Sequence, residues 1–321
     1  MKAVTYAAHG GPEVLAWRDV AMPDCHPKGV LIEVHAVSVE GGDLLDRSGN
    51  FAPLADHPLI LGRQAAGVIV ALGAEVEGLN VGQRVVGVRP NGSHAQFFAP
   101  PARTTWPIPA SLSLVDAAAL PIAFGTAFEA LHHYARLSQG ETVLIHGASG
   151  GVGVAAVQLA RLGSAGVVLA TSTSDTRLDR LSTLGADHLI NCGRTDVREA
   201  VMEITRGRGV DVLVDMVGGR GMQASLQCMA RNGRLVAVGQ ASRSRAKVDL
   251  SHLYSNGVTL CGLKLDIVSP RVRDAVFTLL HKAADRELKV MVDRTFPLSQ
   301  AAEAHAYVES RQAFGRVVLL A

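Results

Sequence analysis

Apolar positions are spread unevenly along this chain. In the first third they form short runs broken by glycine and proline: GVLIEVHAVSV at 29–39, AAGVIVALG at 65–73 and QRVVGVRPNG at 83–92. Valine-rich runs of that length, bounded by turn formers, predict the strands of a small antiparallel barrel or sandwich. From about Ser111 the pattern becomes helical, first in LVDAAAL before Pro121 and then in FGTAFEALHHYARL. A regular alternation follows. It runs TVLIH, a helix Gly151–Leu162, GVVLAT, a helix Thr176–Leu184, HLI, a helix Val197–Arg206, DVLVDM, a helix Met222–Ala230, and RLVAVG. Continuous valine and leucine runs separated by helices predict a parallel sheet covered on both faces. Beyond it come helices near Arg273–Ala284 and Ala301–Ser310 and a last strand, GRVVLL. The predicted fold class is therefore α/β, with a doubly wound domain over 122–266 inserted into a first domain made of 1–121 plus 267–321. No internal repeat or low-complexity tract interrupts it.

Composition narrows the function classes. With 48% apolar residues the 321-residue chain fills a sizeable core, and a net charge of +2 lacks the basic footprint of a dedicated nucleic-acid binder. The longest basic cluster, SRSRAK at 242–247, reads as a solvated loop. Four cysteines lie far apart without a CxxC pair, which suggests neither a disulfide framework nor a cysteine-rich zinc lobe and fits a reducing cytoplasm. No stretch has the length of a signal-peptide core or a membrane span. The strand VTLCGLKL, 258–265, reads as a hydrophobic edge of the parallel sheet, and its pairing with a second copy predicts a homodimer.

One stretch carries explicit chemistry. VLIHGASGGVGVAAVQLA, 143–160, places four glycines between Gly147 and Gly153, directly after a strand and directly before a helix. Glycines allow positive φ and close approach of a phosphate to backbone amides, and the helix start adds unpaired N–H groups and partial positive charge. A dinucleotide diphosphate is the expected occupant. The next strand should choose the dinucleotide, because NAD readers place a carboxylate about 20 residues past the turn for the ribose 2′-hydroxyl. Here ATSTSDTRLDRL offers the hydroxyls of Thr171, Ser172, Thr173 and Ser174 and the cation Arg177, a set that accepts a 2′-phosphate through charge-assisted bonds. NADPH is expected, with Asp175 as the N-cap of the following helix.

At this point the chain resembles the zinc-free quinone oxidoreductase branch of the medium-chain dehydrogenase/reductase superfamily. The resemblance runs over nearly the whole length, through MKAVTYAAHGGPEVL, PLILGRQAAGVIVALGAEVEGLNVGQRV, AAALPIAFGTAFEAL, HGASGGVG, LVDMVGG and GRVVLL. It implies a GroES-like catalytic domain with an inserted Rossmann domain. It also implies a nicotinamide-side threonine at Thr126, a diphosphate turn at Ser149, Gly150, Gly151 and Val152, and a 2′-phosphate cation at Arg177. The loop after the fifth strand falls on Val238, Gly239 and Gln240. Arg316 is either a late basic contact of the cofactor or a surface charge before the last strand. Where the branch often has a tyrosine after Ile-Asn, this chain has Cys192 after Ile190 and Asn191.

Zinc-dependent relatives hold their metal through a cysteine and a histidine at positions occupied here by Glu40 and Arg63. An arginine cannot ligate zinc, since its guanidinium stays protonated, so no catalytic metal is expected. His132, His133 and His94 read as satisfied or solvated side chains. Glu40 and Arg63 are expected to pair and fill the vacated site, Glu40 being either a structural partner or a proton donor. Asp43 and Arg47, four apart in DLLDR, are expected to pair within a helix. The chain reads Ser38-Val39-Glu40-Gly41 in place of Ser-Val-Asn-Pro, and Leu45 and Phe51 where tyrosines are common. Without a metal, hydride transfer needs an acceptor whose own conjugation absorbs charge, such as a quinone or an α,β-unsaturated carbonyl. The resulting expectation is an NADPH-dependent reductase of quinones or enones. The alternatives are an enoyl-thioester reductase and a non-catalytic NADPH-sensing or RNA-binding protein.

Overall fold

The computed structural model describes residues 1–50 and 58–321, so Phe51 lies outside the described residues. The chain divides into two compact units, 1–122 with 267–321, and 123–266.

The first unit opens with β1 (Lys2–Tyr6), β2 (Ala16–Asp19) and β3 (Val30–Ser38), followed by helix α1 (Gly41–Arg47). Then come β4 (Leu59–Ile60), β5 (Gln64–Leu72), β6 (Arg84–Val88), β7 (Phe97–Phe98), β8 (Thr105–Pro107) and α2 (Leu114–Ala118). Helix α3 (Pro121–Phe128) carries the chain onward.

The second unit is the alternation read from the sequence. It contains β9 (Thr142–His146), α4 (Gly151–Leu162), β10 (Val167–Ser172), α5 (Asp175–Ser182), β11 (His188–Asn191) and α6 (Val197–Ile204). It continues through β12 (Val210–Asp215), α7 (Met222–Gln227), β13 (Met229–Ala237), α8 (Leu250–Asn256) and β14 (Thr259–Gly262). The six strands pair in parallel in the order β11-β10-β9-β12-β13-β14, so β14 is an edge as expected. Val143, Leu144 and Ile145 of β9 are fully buried, as are Val168 to Ala170 of β10, because helices cover both faces. The segment expected as one regular helix from Phe124 changes pitch. Glu129–Tyr134 winds as a π-helix, with Ala135 N–H donating to Ala130 O at 2.9 Å.

The chain then returns to the first unit with α9 (Pro270–Ala284), β15 (Val292–Pro297), α10 (Ala301–Glu309) and β16 (Arg316–Leu320). Strand β16 pairs antiparallel with β3, Val318 opposite Ser38, and parallel with β15. Among the described residues these strands belong to one sheet of order β15-β16-β3-β5-β6-β8, with β7 also on β3. Its core gathers Val30, Ile32, Val37, Ile69 and Phe98 with Leu298, Ala304 and Leu319, so both ends of the sequence build one hydrophobic cluster. No helix among the described residues is long and apolar enough to cross a membrane.

Candidate active site

In the second unit, the glycine turn follows directly from strand pairing. Gly147 takes φ +81°, its N–H donating to Thr171 Oγ1 at 3.0 Å, and Ala148 N–H donates to Thr171 O at 2.9 Å. Helix α4 starts after Gly150 with no side chain capping it, and its first bond runs from Val154 N–H to Gly150 O. The amides of Gly151, Val152 and Gly153 are thus left without intrahelical acceptors. A Cβ at Gly150 would meet only Gly147 O, at 3.8 Å, so the space above these amides is open. A Cβ at Gly153 would lie 2.6 Å from the Ala148 backbone. Gly150 therefore leaves room for a ligand, while Gly153 lets helix and turn pack. Ser149 stands beside them, its Oγ accepting from Ser172 Oγ at 3.2 Å. These residues fit a diphosphate.

The hydroxyl series at the end of β10 divides. Thr171 is fully buried, its Oγ1 taken by Gly147 N–H and by His146 Nδ1 at 3.0 Å, so it braces the turn instead of meeting a cofactor phosphate as expected. The reason is the strand itself: both faces of a covered parallel sheet point inward. Ser172 is also buried, against Ser149. Thr173, Ser174 and Arg177 stand beyond the strand. Arg177 Nη2 donates to Thr173 Oγ1 at 3.1 Å, and Ser174 Oγ bonds Thr176 Oγ1 at 2.9 Å. Ser174, not Asp175, occupies the N-cap position of α5. Asp175 is its first helical residue and accepts from Asn191 Nδ2 at 2.8 Å and Arg194 Nη2 at 2.7 Å.

The loops after β12 and β13 are laced through Asp215. Its Oδ1 accepts from the N–H groups of Val217 and Gly218 at 2.7 and 2.9 Å, and its carbonyl accepts from Val238 and Gly239 at 2.8 and 3.3 Å. Gln240 turns its amide onto Ser244 O. Asp215 and His146 are the supports that sequence reading missed. Burial pushes the His146 imidazole below its usual range, against a smaller upward pull from Asp215. Their signal was polarity at the last position of otherwise apolar strands. Thr126 is buried within α3.

In the first unit, the expected pairing is rearranged. Glu40 is buried and binds Arg316, with Nη2 of Arg316 donating to its Oε2, while its Oε1 accepts from Ser38 Oγ at 2.9 Å and Gln64 Nε2 at 2.7 Å. Arg63 instead bonds Asp46 and approaches Asp43 Oδ1 at 3.4 Å. Its Nε lies so close over Gly42 that a Cβ there would sit 2.6 Å away. The Glu40–Arg63 pair is therefore replaced by two pairs, because β16 brings Arg316 beside β3 whereas α1 turns Asp43 and Asp46 toward Arg63. Arg316 is accordingly neither a surface charge nor a free cofactor contact. The Asp43–Arg47 pair is likewise absent. Arg47, 1% exposed, reaches Glu309 of α10 at 2.6 Å, and Asp43 Oδ2 caps α1 by accepting from Glu40 N–H at 2.8 Å.

Three carboxylates, Glu40, Asp43 and Asp46, thus meet two guanidiniums, Arg63 and Arg316. Burial, reinforced by Glu40, raises Asp43 to about 8, so it carries the proton that balances the group near neutral pH. Gln64 also accepts from Ile122 N–H, through its Oε1 at 3.0 Å, within the same unit. His94 is neither solvated nor fully satisfied. It packs edge-on against His305 with both Nδ1 atoms buried and without hydrogen-bond partners. Among the described residues no group of three or more His, Cys, Asp or Glu side chains is placed to hold a metal ion.

Residues 26–110 match the family described as alcohol dehydrogenase GroES-like domain, and residues 184–319 match the one described as zinc-binding dehydrogenase. The quinone oxidoreductase of Rattus norvegicus is 30% identical over all of this chain and 98% of its own length. The 2-haloacrylate reductase of a Burkholderia species is 34% identical, covering 97% of this chain and 96% of that protein. The chain also matches a phenolphthiocerol/phthiocerol polyketide synthase of Mycobacterium tuberculosis at 32% identity over 91% of its residues, but spans only 14% of that relative's length. The crystal structure of Escherichia coli quinone oxidoreductase complexed with NADPH superposes with a TM-score of 0.94 at 28% identity, covering both chains fully.

Proposed function

Because the chain belongs to the medium-chain dehydrogenase/reductase superfamily, in its quinone oxidoreductase-like branch, we propose that it is an NADPH-dependent reductase of quinones or α,β-unsaturated carbonyls. The observation that carries this reading is the uncapped first turn of α4, whose free amides and open space above Gly150 suit a dinucleotide diphosphate. NADPH, when bound, supplies a hydride from its dihydronicotinamide ring. The residues of 123–266 hold it: the amides of Gly151, Val152 and Gly153 with Ser149 at the diphosphate, Thr173, Ser174 and Arg177 at the 2′-phosphate, Thr126 and the Val238–Gln240 loop toward the nicotinamide.

Among its described residues the first unit pairs its buried charges and offers no cluster of metal-ligating side chains. Of the two positions that carry metal ligands in zinc-dependent relatives, one holds Glu40, paired with Arg316, and the other holds Arg63, itself a guanidinium bonded to Asp46; neither arrangement fits a zinc ion. The acceptor must then delocalise its own incoming charge, which selects quinones, enones and unsaturated acids over simple ketones. Glu40 accepts from three side chains, Ser38, Gln64 and Arg316, which favours its reading as a structural partner, with solvent giving the proton to the product. The relative that reduces 2-haloacrylate, an α,β-unsaturated acid, supports the enone side of this range. An enoyl-thioester reductase is the second reading, favoured by the polyketide synthase match.

The test is a screen of quinones, enones, enals, 2-haloacrylates and enoyl thioesters, following NADPH loss by absorbance with NADH in parallel. Turnover of a conjugated acceptor is expected. Oxidation of neither coenzyme by any of them would overturn the reading.

A further inference from the structure

The chain keeps a carboxylate where a 2′-phosphate is expected. Asp175 opens α5, three residues past the end of β10 and two before Arg177. A negative side chain there stabilises the helix start, but it would also repel a phosphate dianion. The loop after β11 answers this conflict. Thr195 and Arg194 N–H both donate to Asn191 O, at 3.0 and 3.2 Å, while Gly193 N–H donates to Asn191 Oδ1 at 3.0 Å and Cys192 N–H to Ser172 O at 3.0 Å. This tight turn folds the loop against the end of β10. Arg194 Nη2 and Asn191 Nδ2 then both meet the same carboxylate oxygen, Asp175 Oδ1.

We propose that Arg194 is a specificity-determining residue for the phosphorylated dinucleotide: held by the loop after β11, it neutralises Asp175 so that Arg177 presents a net positive charge to the 2′-phosphate. The inference rests on the NADPH reading above. With Arg194 in place, Asp175, Arg177 and Arg194 sum to one positive charge; without it they sum to zero. The pair is exposed, with side chains 68% and 49% accessible, so its effect is screened and graded, not absolute. The device acts by charge alone and needs no contact between Arg194 and the cofactor.

Dissociation constants for NADPH and NADH, read from coenzyme fluorescence, test it without any acceptor substrate. Arg194→Ala is expected to weaken NADPH about two- to fivefold, the range of an exposed charge pair, and to leave NADH unchanged. Adding Asp175→Asn to that variant is expected to restore NADPH affinity. Arg177→Ala should weaken NADPH in every background. Wild-type indifference between the two coenzymes would sink the NADPH reading and this inference together. A wild type that prefers NADPH, with Arg194→Ala unchanged, would sink the inference alone. So would an Arg194→Ala defect that Asp175→Asn fails to repair, since that outcome means direct contact in place of neutralisation.

Discussion

Glu40 and Arg316, 276 positions apart in sequence, form one buried ion pair where the last strand of the first unit lies beside β3. Their side chains are 4% and 9% exposed. Removing one partner of such a pair strands a charge in low dielectric.

Arg316→Met is therefore expected to destabilise the protein by about 3–5 kcal/mol, read as a lower urea midpoint with an unchanged slope. Glu40→Gln keeps the donors of Ser38 and Gln64 occupied. It should retain NADPH affinity, and since Glu40 is assigned no proton-transfer step, turnover should stay within a few-fold of wild type. A loss of a hundredfold or more would make Glu40 a catalytic acid.

The glycines of the turn should separate binding from folding. Gly150→Ala is sterically accepted in the free protein but places a methyl over the amides. About tenfold weaker NADPH binding is expected, with thermal stability within a few degrees of wild type. Gly153→Ala drives a methyl into the Ala148 backbone and should lower thermal stability as well, by about 1–3 kcal/mol, measurable by calorimetry.

Acid should act on the first unit through His94. Burial holds its imidazole at about 3 in the folded chain against 6.5 unfolded. A depressed folded value means that the unfolded state takes up the proton first, so stability is full above pH 6.5 and falls as pH drops toward 3. His305, also lowered by burial and by His94 and Arg47, adds in the same direction. Asp43 has the opposite sign, its raised value favouring the folded state at lower pH. The measurement is therefore the difference between wild type and His94→Phe. Between pH 7 and 5 the wild type should lose about 2 kcal/mol more than the variant.

Among the described residues strand β14 ends the parallel sheet with an unpaired edge, and α8, just before it, exposes Leu250 and Tyr254. Edge pairing in a homodimer is expected. Sedimentation should give twice the chain's 33.7 kDa, and a monomer at micromolar concentration would contradict it.

What was legible in the sequence was local. Helix α4 begins at Gly151 and ends at Leu162 as the pattern predicts, because glycine chemistry and apolar period both act within a dozen neighbouring residues. The second unit's strands were readable for the same reason. Side-chain partners were not. The i, i+4 spacing of Asp43 and Arg47 suggested a pair, but Glu309, 262 residues away from Arg47, lies closer in space. Arg63 exchanged its expected partner for two carboxylates on α1, a choice fixed by the turn of that helix, which spacing does not encode. Thr171 shows the same limit at one position: composition marked a hydroxyl, while the strand's facing decided that it would point inward.

The placement of β16 also bears on synthesis. Until the ribosome has delivered residues 316–320, β3 lacks its neighbour on that side and the carboxylate of Glu40 has no guanidinium to meet. The inserted Rossmann sheet, complete by residue 262, can form while its host is still unfinished. A nascent chain stalled before Arg316 should thus carry a protease-resistant middle between two digestible flanks.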